Sequence, residues 1–102
     1  MANGSITPFR PTGTASLSAS TSSAAVLLVG GGDSVVVTNT STSLAFVRFG
    51  ADPSVSASNA DMPVMANART MLAVNSLVRY AAALLVAGSG NVLFTRGDGS
   101  YL

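Results

Sequence analysis

The apolar residues of this chain fall in short blocks, and each block is closed by residues that turn a backbone. Ala24 to Val29 runs into Gly30-Gly31-Gly32-Asp33, Val35-Val36-Val37 into the polar stretch Thr38 to Ser43, and Leu44 to Phe49 into Gly50-Ala51-Asp52-Pro53. Blocks of about four to eight residues, rich in β-branched side chains and bounded by Gly, Pro, Asn, Asp and Ser, read as strands. Where a block is not continuously apolar it alternates. Thr14-Ala15-Ser16-Leu17-Ser18-Ala19-Ser20 sets Ala15, Leu17 and Ala19 on one face and hydroxyls on the other, the period of a strand. A length of 102 residues fits one domain. The predicted fold is all-β, a β-sandwich or jelly roll of about eight short antiparallel strands.

Strands are predicted over 14–20, 24–29, 35–39, 44–49, 55–57, 62–65, 69–74, 78–86 and 91–95. Pro63 restricts the segment 62–65 to an edge. Residues 78–86 carry the helix formers Ala and Leu. Asn75-Ser76 before them and Gly88-Ser89-Gly90-Asn91 after them favour a strand that returns along 91–95 as a hairpin. A polar turn at Thr40-Ser41-Thr42-Ser43 makes 35–49 a second hairpin. Arg96-Gly97-Asp98-Gly99 reads as a tight turn. At the other end, Pro8 and Pro11 remove backbone donors, so residues 1–12 read as an extended N-terminal arm anchored by Phe9 and Arg10, and residues 13–102 as the sandwich.

Composition narrows the function. The chain has no Cys, His, Trp, Lys, Glu or Gln, and its charged side chains are five Arg and four Asp. The usual zinc, haem and iron–sulfur ligands and the thiol nucleophile are missing, and general acids and bases shrink to Asp and Tyr. We therefore expect no enzyme, no cofactor, no metal and no small-molecule substrate. Charged residues make up 9% and the net charge is +1, against about a quarter charged in ordinary domains. That leaves no basic face to displace phosphate counterions, so no nucleic-acid partner is expected. No apolar run approaches the roughly twenty residues of a membrane-spanning helix, and Met1-Ala2-Asn3-Gly4-Ser5 has neither the basic nor the apolar region of a signal peptide. Weak charge repulsion favours a homo-oligomer, a trimer or dimer.

The short motifs read as structure. Gly30-Gly31-Gly32 has no Lys-Ser or Lys-Thr after it and is a loop, not a phosphate cradle. Asp33, Asp52, Asp61 and Asp98 sit in predicted turns without the spacing of a calcium loop. Arg96-Gly97-Asp98 spells an integrin-type tripeptide that turns produce readily. Arg48, Arg69 and Arg79 are more informative, each the sole charge of its strand. An arginine in this setting either lays its stem over apolar neighbours in solvent or anchors an interface, where Arg and aromatics are enriched. The candidate interaction residues are Arg48 with Phe46 and Phe49 beside it, Arg69, Arg79, and Phe9 with Arg10 in the arm.

From Val35 onward the chain resembles a family of small virion proteins of tailed bacteriophages. The matching stretches are Val36-Val37-Thr38-Asn39 through Ala45-Phe46-Val47-Arg48-Phe49-Gly50, then Asp61-Met62-Pro63-Val64, then Val78-Arg79-Tyr80-Ala81-Ala82-Ala83, then Gly88-Ser89-Gly90-Asn91 through Phe94-Thr95-Arg96-Gly97-Asp98-Gly99. The span they mark out, from Val36 to Gly99, is about two-thirds of the chain, and the first 34 residues match less well. The resemblance implies a β-rich capsid accessory protein, a cement or decoration protein present in many copies. Its partner would be the major capsid protein and its location the virion, assembled in the host cytoplasm. A tail, fibre or head–tail adaptor component is the alternative. A cellular adhesive or carbohydrate-binding β-sandwich is a further one, disfavoured because sugars stack on Trp and Tyr and the chain has only Tyr80 and Tyr101.

Overall fold

A computed structural model describes residues 10–75 and 77–98 of the chain. Eight strands follow one another: β1 (Arg10–Ala19), β2 (Ala24–Leu27), β3 (Ser34–Asn39), β4 (Ala45–Gly50), β5 (Met62–Val64), β6 (Arg69–Ala73), β7 (Tyr80–Leu85) and β8 (Gly90–Asp98). No helix occurs among the described residues. The strands form two four-stranded sheets in the orders β1-β8-β3-β6 and β2-β7-β4-β5, and all ladders are antiparallel.

The pairing has a simple rule. β1 pairs β8, β2 pairs β7, β3 pairs β6 and β4 pairs β5. Partner numbers add to between 107 and 109 throughout, as in Arg10 with Asp98, Ala24 with Ala83, Ser34 with Ala73 and Ala45 with Val64. The chain is thus one long hairpin with its tip in the loop 51–61. Rolling that hairpin brings β3 against β8 and β4 against β7 and closes the two sheets. An eight-stranded double sheet wound in this way is a jelly roll.

The core lies between the sheets and is built from small and β-branched side chains. Ala15, Leu17 and Ala19 of β1, Val35 and Val37 of β3, and Val92 and Phe94 of β8 face Ala45 and Val47 of β4, Val64 of β5, and Ala81, Ala83 and Leu85 of β7. Phe49 meets Phe94 across the sandwich edge to face, with ring centroids 6.1 Å apart and planes at 80°, a favoured aromatic geometry.

Four expectations are corrected. The segment 35–49 is no hairpin: β3 and β4 lie in different sheets. Asn39, fully buried at the end of β3, fixes the crossing. Its Nδ2 donates to Ser43 O at 2.8 Å and Val64 O at 3.1 Å, and its Oδ1 accepts from Ser41 N at 3.0 Å and Ser41 Oγ at 2.6 Å. Both amide protons and both lone-pair positions are used, so the chain turns inward from one sheet to the other. The second supposed hairpin, 78–86 with 91–95, crosses likewise from β7 to β8. Gly90 lies so close to Ser41 that a Cβ would come within 2.5 Å of the Ser41 Cβ, and Thr40 N and Oγ1 both donate to Asn91 O, which locks the two crossings together. Residues 55–57 form loop, not strand. Lastly, Arg96-Gly97-Asp98 continues β8 and makes no turn.

The start of the chain also differs in part. Arg10, Pro11 and Thr12 open β1, with Arg10 opposite Asp98 and Pro11 opposite Gly97 before a register shift at Thr12. β1 is an edge strand, and an edge accepts a proline whose missing N–H would face solvent. Residues 1–9, including Phe9, and 99–102 lie outside the described residues.

Candidate functional site

Alternation along each strand decides which side chains face outward, and the two outer faces differ in chemistry. On the β1-β8-β3-β6 sheet the outward set is Thr14, Ser16 and Ser18 of β1, Asn91, Leu93 and Thr95 of β8, Val36 and Thr38 of β3, and Arg69 and Met71 of β6, as the register places them. Thr14 Oγ1 and Thr95 Oγ1 share a hydrogen bond at 2.9 Å across the two strands. The β1 side of this face is rich in hydroxyls, which hydrogen-bond without the desolvation cost of full charges, while its β3–β6 side carries Val36, Met71 and Arg69.

On the β2-β7-β4-β5 sheet the outward set is Ala25 and Leu27 of β2, Tyr80, Ala82 and Leu84 of β7, Phe46, Arg48 and Gly50 of β4, and Pro63 of β5. Leu27 is 54% exposed. Ala82, although outward, is fully covered: Val55 lies against the outward side of Gly50 and buried Ala57 donates its N–H to Ser23 Oγ at 2.8 Å, so the loop 51–61 crosses this face. This face is apolar with one cation in the middle. The Arg48 guanidinium stands 3.9 Å from Asp61 Oδ1, with 59% of the Arg48 side chain exposed against 17% of that of Asp61. Asp61 is held in place by Ser58 N, which donates to its Oδ2 at 2.7 Å.

The predicted interaction residues do not converge on one site. Phe46 and Arg48 share the apolar face, but Phe49 points the opposite way, into the core. Adjacent strand residues face opposite sides, so only Phe46 of the two phenylalanines can shelter Arg48. Arg69 opens β6 opposite Thr38 and belongs to the outer face of the β1-β8-β3-β6 sheet. Arg79 is exposed and precedes β7 rather than lying in it; its backbone N donates to Gly50 O and its carbonyl accepts from Leu28 N. Arg10 is exposed at the start of edge strand β1.

Sequence reasoning passed over Arg96. It is only 5% exposed and turns between the sheets, opposite Val35. Its Nε donates to Gly32 O at 3.0 Å, its Nη2 to Asn75 O at 3.1 Å and its Nη1 to Val78 O. A single planar fork thereby ties the loop 28–33 and the loop 74–79 to β8. The alternation Val92, Phe94, Arg96 was the available signal, because it places all three on the same inner face. With Arg96 and Gly97 buried, the Arg-Gly-Asp tripeptide presents no loop of the integrin type.

These loops border a cleft of about 460 Å³ lined by Leu28, the three glycines Gly30 to Gly32, Asp33, Arg79, Arg96 and Asp98 among others. Its acids are engaged by neighbouring groups: Asp33 N donates to Asp98 Oδ1 at 3.2 Å, and the Ser34 hydroxyl to Asp33 Oδ1 at 3.3 Å. Among the described residues no three acidic side chains gather as a metal site would need. No protein-family model, no curated protein and no solved structure matches this chain.

Proposed function

We propose that the protein is a structural virion component, a cement or decoration protein that binds the outer lattice of a bacteriophage major capsid protein in many copies. The observation that carries this reading is the outer face of the β1-β8-β3-β6 sheet, where hydroxyls and apolar side chains predominate and Arg69 stands at the β6 edge. Surfaces of this kind bury against a partner at little desolvation cost. A rolled β module also gives a rigid body whose faces hold their shape when copies repeat on a lattice. The resemblance from Val36 to Gly99 supplies the bacteriophage context.

Particles assembled without the protein, then incubated with it and imaged by electron microscopy, test the reading. The expected result is density repeated over the whole shell, retained at about 1 M salt, where screening falls to about 3 Å. Density confined to a single ring or to the tail would replace cement with the adaptor or fibre role. No association with particles would overturn the virion reading.

A further inference from the structure

Two open sheets have four edges, and here the edge strands are β1 and β6 of one sheet and β2 and β5 of the other. β1 carries Pro11 and a register shift before Gly13, and Val29 lies so close to Gly13 that a Cβ there would come within 2.7 Å of its side chain. β2 has four residues, and the loop 51–61 reaches its start, where Ala57 N donates to Ser23 Oγ at 2.8 Å. β5 has three residues with Pro63 in the middle. Short strands, prolines, bulges and covering loops keep sheet edges from pairing with other chains. β6, Arg69-Thr70-Met71-Leu72-Ala73, has no Pro, no Gly and an unbroken register against β3. Its hydrogen bonds decide which groups it offers. At the two ends of the β3·β6 ladder Asn39 N donates to Ala68 O at 2.9 Å and Val74 N to Asp33 O at 2.8 Å. Bonded pairs alternate along an antiparallel ladder, so Thr70 and Leu72 bond to Val37 and Val35, and the N–H and C=O of Met71 and Ala73 point outward from the edge. None of the described residues meets these outward groups.

Each outward residue offers one donor and one acceptor, so the edge is complementary to a second copy of itself running antiparallel. We propose that two copies of this chain join β6 to β6 about a two-fold axis perpendicular to the sheet, with Met71 of each opposite Ala73 of the other. Each of these two symmetry-related pairs exchanges both of its backbone hydrogen bonds. Leu72, half-buried and packed on the core, lies opposite the Leu72 of the second copy in a non-bonded pair, where side chains approach most closely. The two Arg69 side chains stand at opposite ends of the pairing, about 20 Å apart along the strands, so the one charge of the strand does not meet its like. A net charge of +1 adds little repulsion. The two β1-β8-β3-β6 sheets merge into a single sheet, and their outer faces become one continuous surface. One short strand per copy makes a weak dimer in free solution, which gains strength where copies are already held as neighbours. The pairing concerns the isolated protein and does not depend on a capsid, so its failure is separable from failure of the virion reading.

Sedimentation velocity of the full chain up to about 1 mM tests it. Wild type is expected to form a dimer in a concentration-dependent manner. Met71→Pro and Ala73→Pro each remove an N–H that faces the edge and none that bonds β3, the setting in which an edge strand accepts proline. Each should keep the wild-type circular dichroism and weaken self-association about tenfold or more, since the two-fold axis removes two bonds at once. If neither proline variant folds, the double variant Met71→Lys with Ala73→Lys must stay monomeric alone, as must Met71→Asp with Ala73→Asp, and the two mixed one to one must pair. The register is read by cross-linking. The chain has no Cys, so Leu72→Cys carries a single thiol and should form a disulfide-linked dimer on mild oxidation. Thr70→Cys should not, because the two thiols would stand about 13 Å apart along the strands, beyond the reach of a disulfide. A wild-type monomer at every concentration, folded proline variants that pair like wild type, or cross-linking of Thr70→Cys but not of Leu72→Cys would each overturn the proposal. So would a protein that never dimerises yet loses particle binding in Ala73→Pro, because the edge would then belong to a strand of another protein.

Discussion

Arg96 shows how much one side chain can hold. Its guanidinium is buried with carbonyl oxygens from Gly32, Asn75 and Val78 around it, and each of those loses its donor if the side chain is cut back. Arg96→Met keeps the length and the apolar stem but supplies no donor. It should lower stability by about 3 kcal/mol, the scale for stranding buried acceptors of a charged donor. Arg96→Lys should recover less than half of that loss, because one ammonium cannot reach three carbonyls on different sides. Urea midpoints measured at unchanged m-value check both. Asp52 gives a prediction about pH. The Ser54 hydroxyl, and after it the Ser54 backbone N–H, bond to its carboxylate and lower its pKa below 3.8. A lowered folded pKa means that the carboxylate favours the folded turn above the unfolded pKa, and that this contribution disappears as pH falls through the folded value. Asp52 is fully exposed, so the effect is confined to the turn 52–54. Titration followed by NMR should place the Asp52 midpoint below 3.8, and Ser54→Ala should raise it towards the ordinary value.

At the scale of elements, the strands were legible and their connections were not. Val35 to Val37, Leu44 to Phe49 and Asn91 to Thr95 announce themselves through β-branched and aromatic residues, and alternation in 14–20 fixed the inner face of β1 correctly. A loop of four polar residues, however, says only that the chain turns. Whether it returns beside itself or passes to the opposite sheet depends on Asn39, which in sequence is only the last residue of a strand but acts as a buried peg in the fold. The same limit applies to the candidate site: Phe46 and Arg48 were recognisable as neighbours on one face, whereas Asp61 joins them only through the β4·β5 register. The opening of β1 illustrates a third case, since prolines suggested an arm and the edge accommodates Pro11. Thr12 holds this corner. Its Oγ1 lies 2.6 Å from Gly31 O and 3.0 Å from Arg96 O, and it accepts from Gly31 N at 3.0 Å. Thr12→Val, of similar shape, should cost about 1–2 kcal/mol and speed amide exchange at Gly31, with little change at the far end of the sandwich. Equal exchange rates in both proteins would show that the hydroxyl does not pin the loop.

For the whole molecule, the all-β class followed from composition and punctuation, but nothing local could reveal a hairpin register whose partner sums stay between 107 and 109 from the chain's ends to its tip. Such a register makes the contacts long-range. β1 and β8 join residues up to 88 positions apart, from Arg10 to Asp98, and topologies of this kind fold in milliseconds to seconds. A subtler consequence lies in how the ladders divide the chain. Cut at the hairpin tip, the first half holds β1 to β4 and the second β5 to β8. Each of the six ladders among the described residues joins one strand from each half, and neither half contains a ladder of its own. The fold is therefore bipartite, two combs that interlock tooth by tooth. Fragments 1–52 and 53–102, separated within the exposed stretch 51–54, should each lack a strand spectrum in isolation and regain it on mixing at equal concentrations. A half that shows the native spectrum by itself would contradict this. Because neither polypeptide can bury its apolar strands without the other, the protein behaves as an obligate heterodimer of its own two halves that happens to be synthesised as one chain.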